Sequence, residues 1–85
     1  MEILWDEPKR LANLDKHRFD FRQLTADFFS KASIQVVKAG RFKAIGVVDQ
    51  RLVAVIFAPL GREAISVISF RAASMAERRL YNERS

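Results

Sequence analysis

The sequence predicts a single α+β domain in which two N-terminal helices precede a four-stranded antiparallel meander sheet and a C-terminal helix. At 85 residues, the chain has material for one hydrophobic core. Hydrophobic residues make up 49% of it and include seven Phe, enough to fold without disulfides or metals. The spacing of apolar residues changes at Ile34, from a helical period to runs of strand length. We therefore expect one domain over residues 1–85.

Capping residues mark the start of the first helix at Asp6-Glu7-Pro8. Aspartate caps a helix, proline suits the first turn, and acids there complement the helix dipole. Leu11 and Leu14 are expected to form the buried stripe of this helix, with Ala12 beside it.

A second helix is predicted after a turn at Lys16-His17-Arg18. Asp20 and Gln23 lie three residues apart, which is the spacing of a capping pair. The residues expected to face inward from this helix are Leu24, Phe28 and Phe29. The first third of the chain is thus a predicted helical hairpin.

Four runs of β-branched and aromatic residues predict the strands. They are Ile34 to Val37, Arg41 to Val48, Leu52 to Ala58 and Ala64 to Phe70. The joints between them are short, which favours hairpins and an antiparallel meander. A short fifth strand at residues 3–5 is left open, because three residues are too few to establish one.

The final element is a helix over residues 74–82. Ser74 and Glu77 stand in capping-box register at its start.

Composition excludes several classes of function. Without cysteine the chain forms no disulfide, Cys-ligated zinc site or thiol nucleophile, and no cofactor or metal is predicted. No export signal is recognised, and the longest mostly apolar run, Leu52 to Leu60, is far shorter than the roughly 20 residues that span a bilayer. We expect a soluble cytoplasmic protein without a membrane partner.

The charge of the chain points to an anionic partner. The net charge is +5, and the excess of Lys and Arg over acids lies in residues 31–85. Such a field concentrates phosphates, so RNA is the first candidate ligand.

Five residues of the second half form the candidate catalytic set. Side chains alternate between the two faces of a strand, which places Arg41 and Lys43 on one face of the second strand. Arg71 ends the last strand. The same alternation predicts that it shares a face with Ile65, Val67 and Ser69. Glu77 and Tyr81 lie four residues apart on the C-terminal helix.

These residue types suit metal-free RNA cleavage. Arg71 is the first choice for stabilising the charge of the transition state, since an arginine fork holds two phosphate oxygens. Lys43, whose charged form is disfavoured beside Arg41, and Glu77 are competing candidates for the base. Tyr81 is a candidate proton donor or stacking platform. The predicted RNA-binding residues are Arg51, Arg62 and Arg78.

Purely structural roles compete with each assignment. Arg41 and Lys43 also suit the protection of an edge strand. Glu77 is also a capping-box residue, and a salt bridge to it would satisfy Arg71. Tyr81 and Arg78 also suit ordinary covering of the sheet.

Two further residues favour structural roles on sequence grounds. His17 stands at a helix end, where an imidazolium complements the dipole. Trp5 is expected in the core.

Motifs at both ends of the chain resemble those of the BrnT toxins. The residues that carry the resemblance are Trp5-Asp6, Lys9, Asn13, Lys16-His17, Phe21, Arg41, Gly46, Ser69, Arg71, Ala73, Glu77, Arg78 and Tyr81. The resemblance covers nearly the whole chain. One departure is Arg18, where similar chains often have glycine, which affects the geometry of that turn.

The resemblance implies a type II toxin with a RelE-like fold and a ribonuclease activity that blocks translation. It also implies a cognate BrnA-like antitoxin that carries the DNA-binding module, so operator DNA is contacted only through that partner. The basic and acidic positions of the family carry over to Arg41, Arg71 and Glu77, whereas Lys43 and Tyr81 rest on the strand and helix geometry.

The resulting hypothesis is a metal-independent endoribonuclease of the mRNA interferase type, acting on RNA that is free or on the ribosome. The alternatives are a non-catalytic RNA- or ribosome-binding module and a scaffold that binds another protein.

Overall fold

The computed structural model describes residues 1–84 and contains five strands, three α-helices and one 3-10 turn. In chain order the elements are β1 (Glu2–Leu4), α1 (Glu7–His17), the 3-10 turn (Phe21–Gln23), α2 (Ala26–Lys31), β2 (Ser33–Lys38), β3 (Arg41–Val48), β4 (Arg51–Leu60), β5 (Ala64–Ala72) and α3 (Met75–Glu83). The predicted α+β class and the order of the helices and long strands are confirmed.

The sheet has five strands rather than the predicted four, and it is mixed rather than antiparallel. Its order is β1-β5-β4-β3-β2, and the four long strands form the predicted antiparallel meander. β1 adds a parallel edge by pairing Glu2 to Leu4 with Ala64 to Ser66. A three-residue strand has no period of its own, so its pairing depends on the edge that β5 offers.

The start of α1 is confirmed, but its predicted buried stripe is wrong. The Asp6 carboxylate accepts a hydrogen bond from the backbone N–H of Lys9. Leu11 is 53% exposed, and Asn13 is the residue of α1 that is buried. α1 lies against the edge of β5 beyond the end of β1, where the strand backbone needs polar partners.

The Asn13 side chain provides those partners. Its Oδ1 accepts from the Phe70 N–H at 3.0 Å, and its Nδ2 donates to the Phe70 carbonyl at 2.8 Å and to the Phe19 carbonyl at 3.1 Å. One amide thus satisfies both backbone groups of Phe70 and ties α1 to the sheet.

The predicted Asp20–Gln23 capping pair is present, but it caps the 3-10 turn and not a long second helix. α2 begins later, where the Thr25 hydroxyl accepts from the Phe28 N–H. Asp20 also accepts from Arg22 and Arg10, and these bonds, with that of Arg22 the largest cause, lower its pKa to about 2. The segment before α2 is therefore a polar-capped turn rather than part of the helix.

The main core lies on one face of the sheet beneath the 3-10 turn and α2. Its buried side chains are Phe19, Phe21, Leu24, Phe28, Ala44, Val53, Val55, Phe57, Ile65, Val67 and Phe70. Trp5 packs against this cluster edge-on to Phe21, as predicted. A Cβ at Gly46 would lie 2.9 Å from the Phe28 ring, so the absence of a side chain there lets α2 approach β3.

A β-bulge in β5 overturns the predicted parity of Arg71. Ile56 pairs with Ser69 and Phe57 pairs with Val67, so Ile68 is the additional residue. The bulge sends Ile65 and Val67 into the core and leaves Ser69 and Arg71 on the opposite face. Arg71 therefore shares a face with Ser69 but not with Ile65 or Val67.

Arg18 adopts the left-handed conformation, with φ of 65° and ψ of 21°, at the C-terminal cap of α1. This is the position at which the resemblance leads one to expect glycine. A side chain in this region of φ/ψ space is strained, whereas glycine is not.

We expect Arg18→Gly to stabilise the protein by about 1 kcal/mol, because it removes the strain at the helix end. For a domain of this size the melting temperature should rise by roughly 4–8 °C. Thermal unfolding followed by circular dichroism measures this, with Arg62→Gly, which replaces an exposed arginine of ordinary φ in the turn between β4 and β5, as the control. A lower melting temperature for Arg18→Gly would show that the arginine side chain contributes more than the strain costs.

Candidate functional site

The second face of the sheet is covered by α3, whose start brings Glu77 over the end of β5. Arg71 is the last residue but one of β5, and Ser74 caps α3 only three residues later. Arg71 Nη1 donates to Glu77 Oε1 at 2.7 Å, and Nη2 donates to Oε2 at 2.8 Å. The guanidinium and the carboxylate thus form a bidentate salt bridge, which fixes the orientation of both groups.

Two more donors complete the surroundings of the Glu77 carboxylate. Lys43 Nζ, from β3, donates to Oε2 at 2.7 Å, and the Ser74 backbone N–H donates to Oε1 at 2.8 Å. The Ser74 hydroxyl accepts from the Glu77 N–H, so the predicted capping box is present. Glu77 is only 4% exposed. We call Lys43, Arg71 and Glu77 the charged cluster.

The charged cluster sets the protonation state of its carboxylate. The Arg71 guanidinium, followed by Lys43, holds the pKa of Glu77 far below its ordinary value, although burial acts in the opposite direction. The pKa of Arg71 is raised in turn by its hydrogen bonds to Glu77. Glu77 is therefore an anion at any pH near neutrality and a weak acceptor of a proton.

The cations of the charged cluster remain accessible. The side chains of Arg71 and Lys43 are 32% and 22% exposed, against 5% for Glu77. With one carboxylate for two cations, the cluster keeps a positive charge. Arg71 has five N–H donors, of which the recorded bonds to Glu77 and to the Ala72 carbonyl use three. Donors thus remain for an anionic ligand.

The other two predicted catalytic residues lie at the margin of this cluster. Arg41 is exposed at the start of β3, two residues before Lys43 on the same face, and no contact to Glu77 is recorded for it among residues 1–84. Tyr81 is half-buried on α3, and its hydroxyl accepts from Arg84 Nη2 at 2.7 Å, while the Arg84 guanidinium lies over its ring. The structure brings together Lys43, Arg71 and Glu77.

The three arginines predicted to bind RNA do not form one surface. Arg51 stacks on the ring of Phe19, which belongs to the main core on the other face of the sheet. Arg62 lies in the turn between β4 and β5, and the length of β5 places it about 20 Å from Arg71. Arg78 is exposed beside Glu77 on α3. Of the three, Arg78 lies closest to the charged cluster in the chain.

A recess of about 290 Å³ opens between α1 and β5. It is lined by Lys9, Ala12, Asn13, Lys16, His17, Ile68 and Ser69. Partial burial lowers the pKa of His17 below its ordinary value, and the charges of Lys16 and Arg71 lower it further. Ser69 lines the recess and lies two residues before Arg71 on the same face of β5, so the α1–β5 recess adjoins the charged cluster.

Lys9, Lys16 and Ser69 were not chosen as site residues by sequence reasoning, and His17 was assigned a local role. A signal for them exists, because Lys9, Asn13 and Lys16 are spaced four and three residues apart and so share one face of α1. The stripe predicted to be buried is instead the apolar pair Leu11 and Leu14. The face that contacts the sheet turns out to be the polar one.

Within residues 1–84, no group of three or more His, Asp or Glu side chains is placed to hold a metal ion. No helix in the same range is long and apolar enough to cross a membrane.

Comparison with known proteins gives a consistent result. The family model for the ribonuclease toxin BrnT of type II toxin-antitoxin systems matches residues 5–77. The 1.1 Å crystal structure of the Brucella abortus ribonuclease toxin BrnT is 50% identical in sequence, with a TM-score of 0.84. The match covers 88% of this chain and 99% of that one. Comparison with the curated proteins gave no significant match.

The motifs at both ends of the sequence, the match over residues 5–77 and the shared fold agree with one another. The chain belongs to the BrnT family, the ribonuclease toxins of type II toxin-antitoxin systems.

Proposed function

We propose that this BrnT-family chain is an endoribonuclease that cleaves RNA without a metal ion, and that it inhibits translation as an mRNA interferase in the cytoplasm. The observation that carries the proposal is the charged cluster, in which a buried carboxylate holds a partly exposed guanidinium and ammonium side by side. Cleavage of RNA by its own 2′-hydroxyl builds negative charge on the phosphate. Preorganised cations stabilise that charge in the transition state.

Each member of the cluster has a distinct part in this proposal. Arg71 binds the non-bridging phosphate oxygens with its remaining N–H groups, and Lys43 adds a second positive charge beside it. Glu77 orients both cations and does not serve as the base, since its bonds to Arg71 and Lys43 lower its pKa and make the carboxylate a weak acceptor of a proton. Arg41, Arg78 and Tyr81 lie where they can contact the flanking nucleotides.

A type II toxin has an antitoxin partner. We propose that a BrnA-like antitoxin neutralises this chain by covering the charged cluster or distorting it, and that any contact with operator DNA is made through that antitoxin. A partner with acidic residues on the contacting surface would match the positive charge left by Lys43 and Arg71.

The test is the cleavage of bulk RNA by the purified protein in excess EDTA, with and without its antitoxin. We expect cleavage in EDTA and its loss when equimolar antitoxin is added. Cleavage that appears only after Mg²⁺ is restored would overturn the metal-free mechanism and leave the ribonuclease activity standing. If naked RNA stays intact, the same assay on translating ribosomes decides between ribosome-dependent cleavage and no cleavage.

A non-catalytic RNA-binding module is the second candidate. It is favoured by the hydrogen bonds that the Glu77 carboxylate already accepts from Arg71 and Lys43. That carboxylate lacks the proton affinity of a general base. The module would bind RNA through the same cations, and four phosphate contacts would give a log-log salt slope of about −3 for a single strand. Salt-dependent binding without cleavage in either assay would establish this function.

A further inference from the structure

The α1–β5 recess is lined by cationic and neutral polar side chains together with Ala12 and Ile68, and no acidic side chain is among its lining residues. Lys9 and Lys16 lie two helical turns apart on α1, about 10 Å along the helix axis, with His17 next to the second and Ser69 facing them from β5. The Asn13 amide in its wall is already occupied by the backbone of Phe70 and Phe19. A groove of this charge suits the phosphate backbone of a single strand.

The recess joins the charged cluster through β5. Ser69 and Arg71 are two residues apart on one face of that strand, which separates their Cα atoms by about 7 Å. The bulge at Ile68 creates this arrangement, because without it Ser69 and Arg71 would point into the main core. A phosphate bound at Arg71 therefore has the His17 imidazole nearby.

His17 is the group in this region suited to accept a proton near neutral pH. Lys9 and Lys16 line the recess together with His17, and Arg71 follows two residues after Ser69 on β5; the two lysines and the arginine are all cations. Partial burial, followed by the charges of Lys16 and Arg71, disfavours the imidazolium and so leaves the imidazole free to act as a base. The carboxylate of the charged cluster is that of Glu77 from α3, and it already accepts hydrogen bonds from Arg71 and Lys43.

We propose that the α1–β5 recess binds the RNA backbone next to the scissile phosphodiester held at Arg71, and that His17 is the base that removes the proton from the attacking 2′-hydroxyl. This rests on the proposed ribonuclease function. The 2′-oxygen forms a bond to phosphorus, and the bond from phosphorus to the 5′-oxygen breaks. The products are a 2′,3′-cyclic phosphate and a 5′-hydroxyl that takes a proton from water. His17 then returns its proton to solvent, so no water is consumed.

The chain contains one histidine, which makes the proposal directly measurable. An NMR titration of the imidazole gives the pKa of His17 without assignment. The rate kcat/KM for a short RNA should rise with pH through that same pKa, since kcat/KM reports the free enzyme. We expect this acidic limb below the ordinary pKa of 6.5.

His17→Gln should slow cleavage about a hundred-fold or more and abolish the acidic limb. The Kd of His17→Gln for a 2′-O-methyl RNA, which cannot be cleaved, should stay within about three-fold of the Kd of the original protein. The double variant Lys9→Gln, Lys16→Gln should instead weaken that binding and make its log-log salt slope shallower by about 1.4. Lys31→Gln, which alters a lysine 75% exposed on α2, is the matched control.

The outcomes separate this proposal from the ribonuclease function. Cleavage by His17→Gln at nearly the original rate, with the acidic limb intact, would overturn the role of His17 and leave the ribonuclease function standing. Unchanged binding and salt slope in the double lysine variant would overturn the recess as the phosphate site. If the original protein cleaves no RNA, both proposals fall together.

Discussion

Arg71→Ala is expected to slow RNA cleavage about a hundred-fold or more. The guanidinium is held by Glu77 at 2.7 and 2.8 Å while its side chain stays 32% exposed, so it is already oriented towards solvent before substrate binds. Removing a preorganised donor that faces developing charge has this order of effect in other enzymes. Arg71→Lys should recover only part of the rate, because an ammonium cannot hold two oxygens in one plane.

Cleavage of bulk RNA in EDTA, at matched concentrations of folded protein, measures this effect. Arg79→Ala is the control, since Arg79 is exposed on α3 two residues from Glu77 and therefore on another side of the helix. Circular dichroism and the melting temperature establish that each variant is folded. Equal activity of Arg71→Ala and the original protein would remove the charged cluster from the mechanism.

Glu77→Gln is expected to lower the free energy of unfolding by about 2–3 kcal/mol at pH 7. The glutamine leaves Lys43 and Arg71 side by side without an anion, although both can still reach water. Breaking a fully buried ion pair costs roughly 3–5 kcal/mol, and access to solvent reduces that amount here. Urea unfolding of both proteins measures the difference.

The difference in the free energy of unfolding between the original protein and Glu77→Gln should become smaller as the pH falls. The pKa of Glu77 is lower in the folded chain than in the unfolded one, where it is about 4.3. Its contribution is therefore complete above about pH 5 and is lost as the pH falls from there towards the folded pKa. Asp20, with a pKa of about 2, also makes a contribution to stability that is lost in acid. Both proteins contain Asp20, so its contribution cancels in the difference between them. A difference that stays constant down to pH 3 would contradict the assignment.

Local signals in the sequence predicted most of the elements correctly. The four long strands, the Asp6 and Ser74 caps and the Asp20–Gln23 capping pair each depend on residues within a few positions of one another, although the capping pair begins a 3-10 turn and not the predicted helix. Alternation and capping act over that range, so one sequence is sufficient to find them. The salt bridge between Arg71 and Glu77, six residues apart, was also among the structural alternatives.

Errors arose where a residue's surroundings come from distant parts of the chain. Asn13 is buried because it bonds to Phe70, 57 positions away, and no period within α1 reveals that partner. The prediction of Lys43 as a base depends on its neighbour Arg41, whereas its ammonium donates to Glu77, 34 positions away. Both contacts depend on how the helices dock on the sheet.

The sequence by itself determined the α+β class, the order of the long elements, the capping of α3 and, through its motifs, the family. The tertiary structure alone decided the fifth strand, the bulge at Ile68 and the α1–β5 recess, which brings His17 and Ser69 to one opening. The reason is physical: periodicity and caps are local, but the face on which Arg71 emerges depends on one additional residue in β5. A shift of one residue moves every later side chain to the other side of the sheet.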